Sequence, residues 1–548
     1  EAVALKPQFP DAQLRMAALY LGANRVQEAE DTARDVLHQE TNNVQARYLV
    51  ASSMIRRGDF SQAIKELQMV LELDPEHEEA HFLLARCYLE KKEPVKAKKI
   101  FEAAASLEND SARAEYILAR FYMSQSNWTA AEKTLQNIVS TFPEEPMHSL
   151  ALAEFYANRQ QMDKAEQVLK DTLSQHPKNS QTYRALAQLY LAQGETQAAE
   201  DILKKGRDTA TDSLLPSLEL GRLYAYQGKT DQAITTWQNA AQKFPEDVRP
   251  HQEMASLYYN MNQYSQALEH IQSIMDIDSG HIQARLLKAK IKLKENDLQE
   301  TKKIAQQVVR DQPDLAEASF ILALAHFGLG EDNQGQTHLD EALKADPNHV
   351  RANLMKAEIL LRERKIDQAL ELTSKVTRSE PQEMRAHLLQ GRAYLAQDNV
   401  QAAKESFEKV VDLAPKRPEG HLYLGMIHRH QEDFSAALES FHQALSVAPG
   451  STTAMKEIVT THLKQNQTDE ALTFCRDQLK THDESPQRAS YILFLQGQAH
   501  LQAKDIPAAK DALQQAIDRN PDWASPYMLL ARLEAATGQL DQAIDRYQ

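Results

Sequence analysis

The chain has 548 residues, more than one hydrophobic core supports, so an array or several domains is expected. Its 62 basic and 78 acidic residues leave a net charge of −16, which argues against nonspecific binding of nucleic acid or an anionic membrane. The two cysteines, Cys87 and Cys475, cannot build a disulfide framework or a cysteine zinc site, and no apolar run approaches the roughly 18–20 residues of a membrane helix.

With Gly at only 16 and Ala, Leu, Gln and Glu abundant, helix is favoured over sheet. Prolines then give the organisation: Pro75, Pro143, Pro177, Pro245, Pro313, Pro347, Pro381, Pro415 and Pro449 all fall on a grid of spacing 34. Pro7 lies on it too, and Pro521 rejoins it after a four-residue insertion between about Leu479 and Ala489. Such a period predicts pairs of antiparallel helices, stacked side by side.

In chain order, residues 1–9 match the end of a preceding unit. Units 1–13 fill 10–451, starting at residue 10 and every 34 residues after it. Residues 452–489 form unit 14, expected to be irregular, because Val459 replaces a small residue and the insertion follows. Residues 490–548 hold units 15 and 16, the last stopping at register position 25. Both ends therefore read as cut within a unit, the natural protein being longer.

Counting from each unit's start, position 8 is Ala or Gly in fifteen of sixteen units and position 20 is Ala in fourteen. Small side chains there let the two helices of a pair, A and B, approach closely. Position 11 is Tyr in eight units, including Tyr88, Tyr122, Tyr156, Tyr190 and Tyr224, and is expected to fill the space between neighbours.

The stretch from His77 to His81 reads H-E-x-x-H, a zinc-peptidase pattern. On the grid, however, His77 falls in a turn and His81 at position 4 of a helix A, so the pair flanks a helix start and shares no face. His421, His428, His430, His462 and His500 form a second concentration. It reads either as flat rings packing in place of Tyr or as a metal-binding or pH-responsive stripe. With no nucleophile elbow or phosphate loop, no catalytic residue, metal site or cofactor is assigned, and the segment is not expected to be an enzyme.

Stretches such as "AHFLLARCYLEKKEPVKAKKIFEAAASLEND" and "EGHLYLGMIHRHQEDFSAALESFHQALSVAP" carry the small-residue and aromatic pattern of the tetratricopeptide repeat family. The sequence resembles that family over essentially its whole length, departing at position 4, where the family's usual Trp is mostly polar here (His81, Ser149, Asn353, His387). The resemblance implies an all-α, right-handed solenoid of about 16 helix-turn-helix units, with helix A on the concave side. Its Gln-rich, loosely consensus units look most like long bacterial arrays, including those of exopolysaccharide-export and cell-envelope systems. A cytoplasmic and a periplasmic or cell-envelope setting both remain open.

In the family, positions 2, 9 and 13 of helix A face the ligand groove. These 48 positions hold 14 Lys or Arg and 7 Asp or Glu, against about five basic residues at the chain's average usage. Arg86, Arg113 and Arg120 occupy adjoining units, as do Arg222 with Arg249, and Arg351, Arg362, Arg385 and Arg392. Arginine's planar fork suits carboxylates. The expected function is thus a protein-interaction scaffold whose groove binds a peptide or protein with acidic segments. The alternative is a regulatory or targeting arm of a larger enzyme or export machine. Neither the Lys-and-Asn carboxylate clamp of chaperone-binding members nor the asparagine ladder of O-GlcNAc transferase arrays is present.

Overall fold

The computed structural model describes residues 9–107, 112–482 and 484–547. Among them lie 32 helices and no strand, making the sixteen expected pairs. The segment read as the end of a preceding unit lies, but for Phe9, outside the described residues. The helices group into two compact bodies, Glu1–Ser279 and Gly280–Gln548, holding units 1–8 and 9–16 respectively. Within each body, most successive helices A approach one another, whereas no two helices B approach as closely. Helix A therefore lies on the inner side of each stack.

Side-chain caps set many of the helix starts. Before helix A, the side chains of Asn43, His77, Asn179, His281, His349 and Ser451 accept a hydrogen bond from a first-turn N–H. Before helix B, Asp59, Asn127, Asp297, Asn399, Asp433 and Asp505 do the same. Between the two helices, position 15 adopts positive φ in all sixteen units, yet only five of these residues are Gly (Gly58, Gly194, Gly228, Gly330, Gly538). Side chains such as Gln160, Arg364 and Lys504 are forced into the left-handed region, where a Cβ meets the following carbonyl.

The polar residues at position 4 now have a reason. The imidazole Nε2–H of His81 donates to the Pro75 carbonyl at 2.9 Å, and His387 donates likewise to Pro381 at 3.0 Å. Tyr183 and Asn353 donate to Pro177 and Pro347, both at 2.9 Å. Each ties the first turn of helix A to the grid proline six residues back, whose carbonyl has no helix partner.

Packing between A and B follows side-chain volume. In three of the four units with Gly at position 8, position 24 of helix B carries an aromatic ring: Gly221 lies under Trp237, and a Cβ at Gly391 or Gly425 would sit 2.6 or 2.5 Å from Phe407 or Phe441. In units 2, 4, 5 and 6 position 8 is Ala (Ala51, Ala119, Ala153, Ala187) and position 24 is Leu (Leu67, Leu135, Leu169, Leu203). Unit 14 inverts the pair, with Val459 at position 8 and Cys475 at position 24, both buried in one cluster. Its two helices are still the most loosely apposed of the sixteen pairs. Helix B of unit 14 runs Thr468–His482, and helix A of unit 15 spans Pro486–Gln502.

A hydrogen-bond ladder joins neighbouring units in the first body. Tyr122, Tyr156, Tyr190 and Tyr224 each donate from the hydroxyl to a carboxylate of the preceding helix B, Glu102, Glu132, Glu166 and Glu200. Lysines complete it, Lys164 on Glu132 at 2.8 Å and Lys229 on Glu200 at 3.2 Å. In four units of the second body His takes this position, and three of these, His326, His462 and His500, turn to Glu331, Gln467 and Asp505, five residues along in their own unit.

Candidate binding face

Of the nine arginines expected to line the groove, eight are exposed and Arg392 is half-buried. Six are held by carboxylates of the same face. In the first body Arg113 pairs with Glu79 at 3.2 Å and stacks 5.0 Å over the Phe82 ring. Arg222 bridges Glu253 at 2.5 Å and Glu219 at 3.0 Å, and Arg249 binds Asp247 at 2.6 Å. Arg86 and Arg120 differ. They occupy position 9 of consecutive units, and neither has an ion pair or hydrogen bond among the described residues.

The second body is more tightly neutralised. Glu358 is shared by Arg362 at 3.2 Å and Arg385 at 3.7 Å. Glu317 ties three units together, with Lys290 of unit 9 at 2.8 Å, His349 in the turn before unit 11 at 2.9 Å and Arg351 of unit 11 at 3.4 Å. Burial would raise the Glu317 pKa. Hydrogen bonds from His349 and Lys290, with the charges of Lys290 and Arg351, outweigh it and lower the pKa to about 2. Arg392 has no polar partner among the described residues.

On the face of units 5–7 column reasoning named Arg222 but not Arg184. Here two adjoining clefts of about 390 and 500 Å³ open among helices Pro146–Asn158, Ser180–Ala192 and Leu215–Tyr226. Tyr226 is 89% exposed at the rim of the second, with Leu191 beside it at 39%. Arg184 lines both clefts, at position 5, a column that is mostly apolar elsewhere (Leu14, Phe82, Phe320, Leu388). A basic residue in that apolar column was the signal available in the sequence.

The H-E-x-x-H stretch resolves into two separate roles. His77 caps the helix Glu78–Glu90, its Nδ1 accepting from the Ala80 N–H at 3.3 Å, while His81 is engaged with Pro75 inside the helix. No group of three or more His, Cys, Asp or Glu among the described residues could hold a metal ion. Cys87 and Cys475 are buried, burial pushing their thiols up to about 11 and 12. Among the described residues no helix is long and apolar enough to cross a membrane.

Comparison with known proteins agrees with this architecture. No curated protein matches the sequence. Among solved structures the chain is similar to the crystal structure of the APC/C hetero-tetramer Cut9-Hcn1, 16% identical, covering 95% of each chain with a TM-score of 0.40. It is also similar to yeast Tom70 (14% identical, 84% of this chain and 97% of that one, TM-score 0.34). The human IFIT1 dimer with PPP-AAAA is 19% identical over 67% of this chain and 89% of its own (TM-score 0.39). Two family models, both described as tetratricopeptide repeat, match the sequence itself. One covers 54–105, 89–154, 122–184, 156–218, 224–291 and 428–490, the other 333–383, 354–418, 388–452 and 494–548. The chain belongs to the tetratricopeptide repeat family.

Proposed function

We propose that this array is a scaffold that holds a protein or peptide partner along its helix-A face, and that arginines there recognise acidic stretches of that partner. Tetratricopeptide arrays are in general protein-interaction modules, which supports the first half of the reading. The observation that carries the second is Arg86 with Arg120: two exposed guanidiniums one repeat apart, with no carboxylate partner among the described residues. The paired arginines contribute less. Exchanging an exposed intramolecular carboxylate for a partner's is nearly neutral, since such pairs are worth about 0–1 kcal/mol. Unpaired cations on an inner face steer encounter and add attraction that salt screens.

Pull-down from a native extract tests this, with wild type beside an Arg86→Ala/Arg120→Ala variant and an Arg351→Ala/Arg385→Ala/Arg392→Ala variant. Both variants should keep wild-type helical content by circular dichroism. The double variant should lose partners that wild type retains at low salt, and the triple variant should lose fewer. If both recover the same partners as wild type with the same salt dependence, the basic face is solvated surface only.

A further inference from the structure

We propose that Arg184 anchors a recognition site for one acidic side chain, Asp or Glu, flanked on both sides by apolar residues within an extended segment of the partner. The proposal rests on the reading of the helix-A face as a protein-binding surface and says where and what it binds.

Three observations converge on this side chain. First, its Nε is buried and has no hydrogen-bond partner among the described residues, nor does the guanidinium form an ion pair. A buried N–H left without an acceptor is unfavourable, and pairing with an incoming carboxylate would remove that cost. Every arginine paired on this face, by contrast, already has its acceptor. Second, the two clefts share only Arg184 and Gln188. The guanidinium thus stands at the junction of two separate hollows. Third, both hollows have apolar linings: Leu150, Ala157 and Leu169 in one, Leu191, Leu203 and Leu223 with Tyr226 at the rim in the other. A site of this shape fits an apolar side chain on each side of the charge, with Arg184 giving the carboxylate two parallel N–H donors.

Flanking hollows on both sides also mean that the bound chain continues past the carboxylate in both directions. The anion is therefore a side chain and not a chain terminus. Local charge refines the motif. In the second cleft Glu219 is tied to Arg222, so the arginine there has no free acidic rival. In the first cleft Glu154 stands without an ion pair among the described residues and would repel a second acidic residue on that side. The motif is one acid between two apolar residues, and not an acidic run.

The probe is a display library of random 12-residue segments, built in two forms: fused at both ends, and with a free C-terminus. Selected segments are made as blocked peptides and titrated by fluorescence anisotropy into the full chain. The doubly fused library should yield segments with a single Asp or Glu between apolar residues. Arg184→Gln should weaken them at least tenfold, as should Glu→Gln in the peptide, and the two losses combined should not add. Arg184→Lys should restore part of the affinity, with helical content unchanged throughout. The site is overturned if selected peptides bind Arg184→Gln as well as wild type. Should they depend instead on Arg86 and Arg120, the scaffold reading survives and only the Arg184 site falls. Enrichment solely from the free-terminus library overturns the side-chain assignment, and selection of nothing overturns both readings.

Discussion

Replacing Glu317 by Gln should weaken the array locally and strengthen its hold on an acidic partner. This carboxylate joins units 9, 10 and 11 through Lys290, His349 and Arg351. Lowering its pKa from 4.5 to about 2 corresponds to at most about 3 kcal/mol at pH 7, at 1.36 kcal/mol per unit. Water still reaches 22% of the side chain, so screening reduces this to about 1–2 kcal/mol. Because the folded-state pKa is depressed, the stabilisation is fully present above pH 4.5 and is lost as pH falls through about 2. About six-tenths of it should remain at pH 3.5. Hydrogen exchange in Ile282–Lys294, Ala316–Gly328 and Val350–Arg362, at pH 7 and 3.5, reads the local opening free energies. Glu317→Gln should lower them by that amount at pH 7 and by less at pH 3.5, while releasing Arg351 and Lys290 for a partner's carboxylates. A difference independent of pH, or none at all, would refute the clip.

Gly425→Ala should cost about 1–3 kcal/mol in unit 13, because the new Cβ meets Phe441. Adding Phe441→Leu, which recreates the Ala/Leu pair of units 2, 4, 5 and 6, should recover most of the loss in a double-mutant cycle read by exchange. At position 15, Arg364→Gly should stabilise unit 11 by about 0.5–1 kcal/mol, seen as slower exchange, since the residue sits at φ 60°. Amides of Thr452–Lys464 and Thr468–His482 should exchange faster than those of Pro418–His430 and Phe434–Val447, since the helices of unit 14 are the least closely apposed. Equal protection in the two units would remove unit 14 as the weak joint.

The repeat was legible in the sequence because each unit reuses the same close contact, so Ala17, Ala51 and Gly221 recur at one register whatever surrounds them. The left-handed turn at position 15 was not, since its occupants range from Asn24 to Arg364 and the geometry comes from the helix pair. The polarity of His81 and Asn353 was visible, but the carbonyls they reach are specified only by the folded turn. Arginine enrichment on the helix-A face could be counted; its neutralisation by Glu317 and Glu358 depends on how neighbouring units align, which spacing alone does not encode. Arg184 was overlooked because its register was treated as packing, yet the clefts beside it leave it open on two sides.

The central claim is that a partner lies on helix A. It is tested most directly by a hydrogen-exchange footprint of the full chain with and without a bound peptide from the fused library. Protection is predicted in Pro146–Asn158, Ser180–Ala192 and Leu215–Tyr226, reaching the helices B of the same units, Met162–Gln175, Thr196–Thr209 and Thr230–Lys243, only around Leu169 and Leu203, which line the clefts. Protection confined to those helices B would contradict the account.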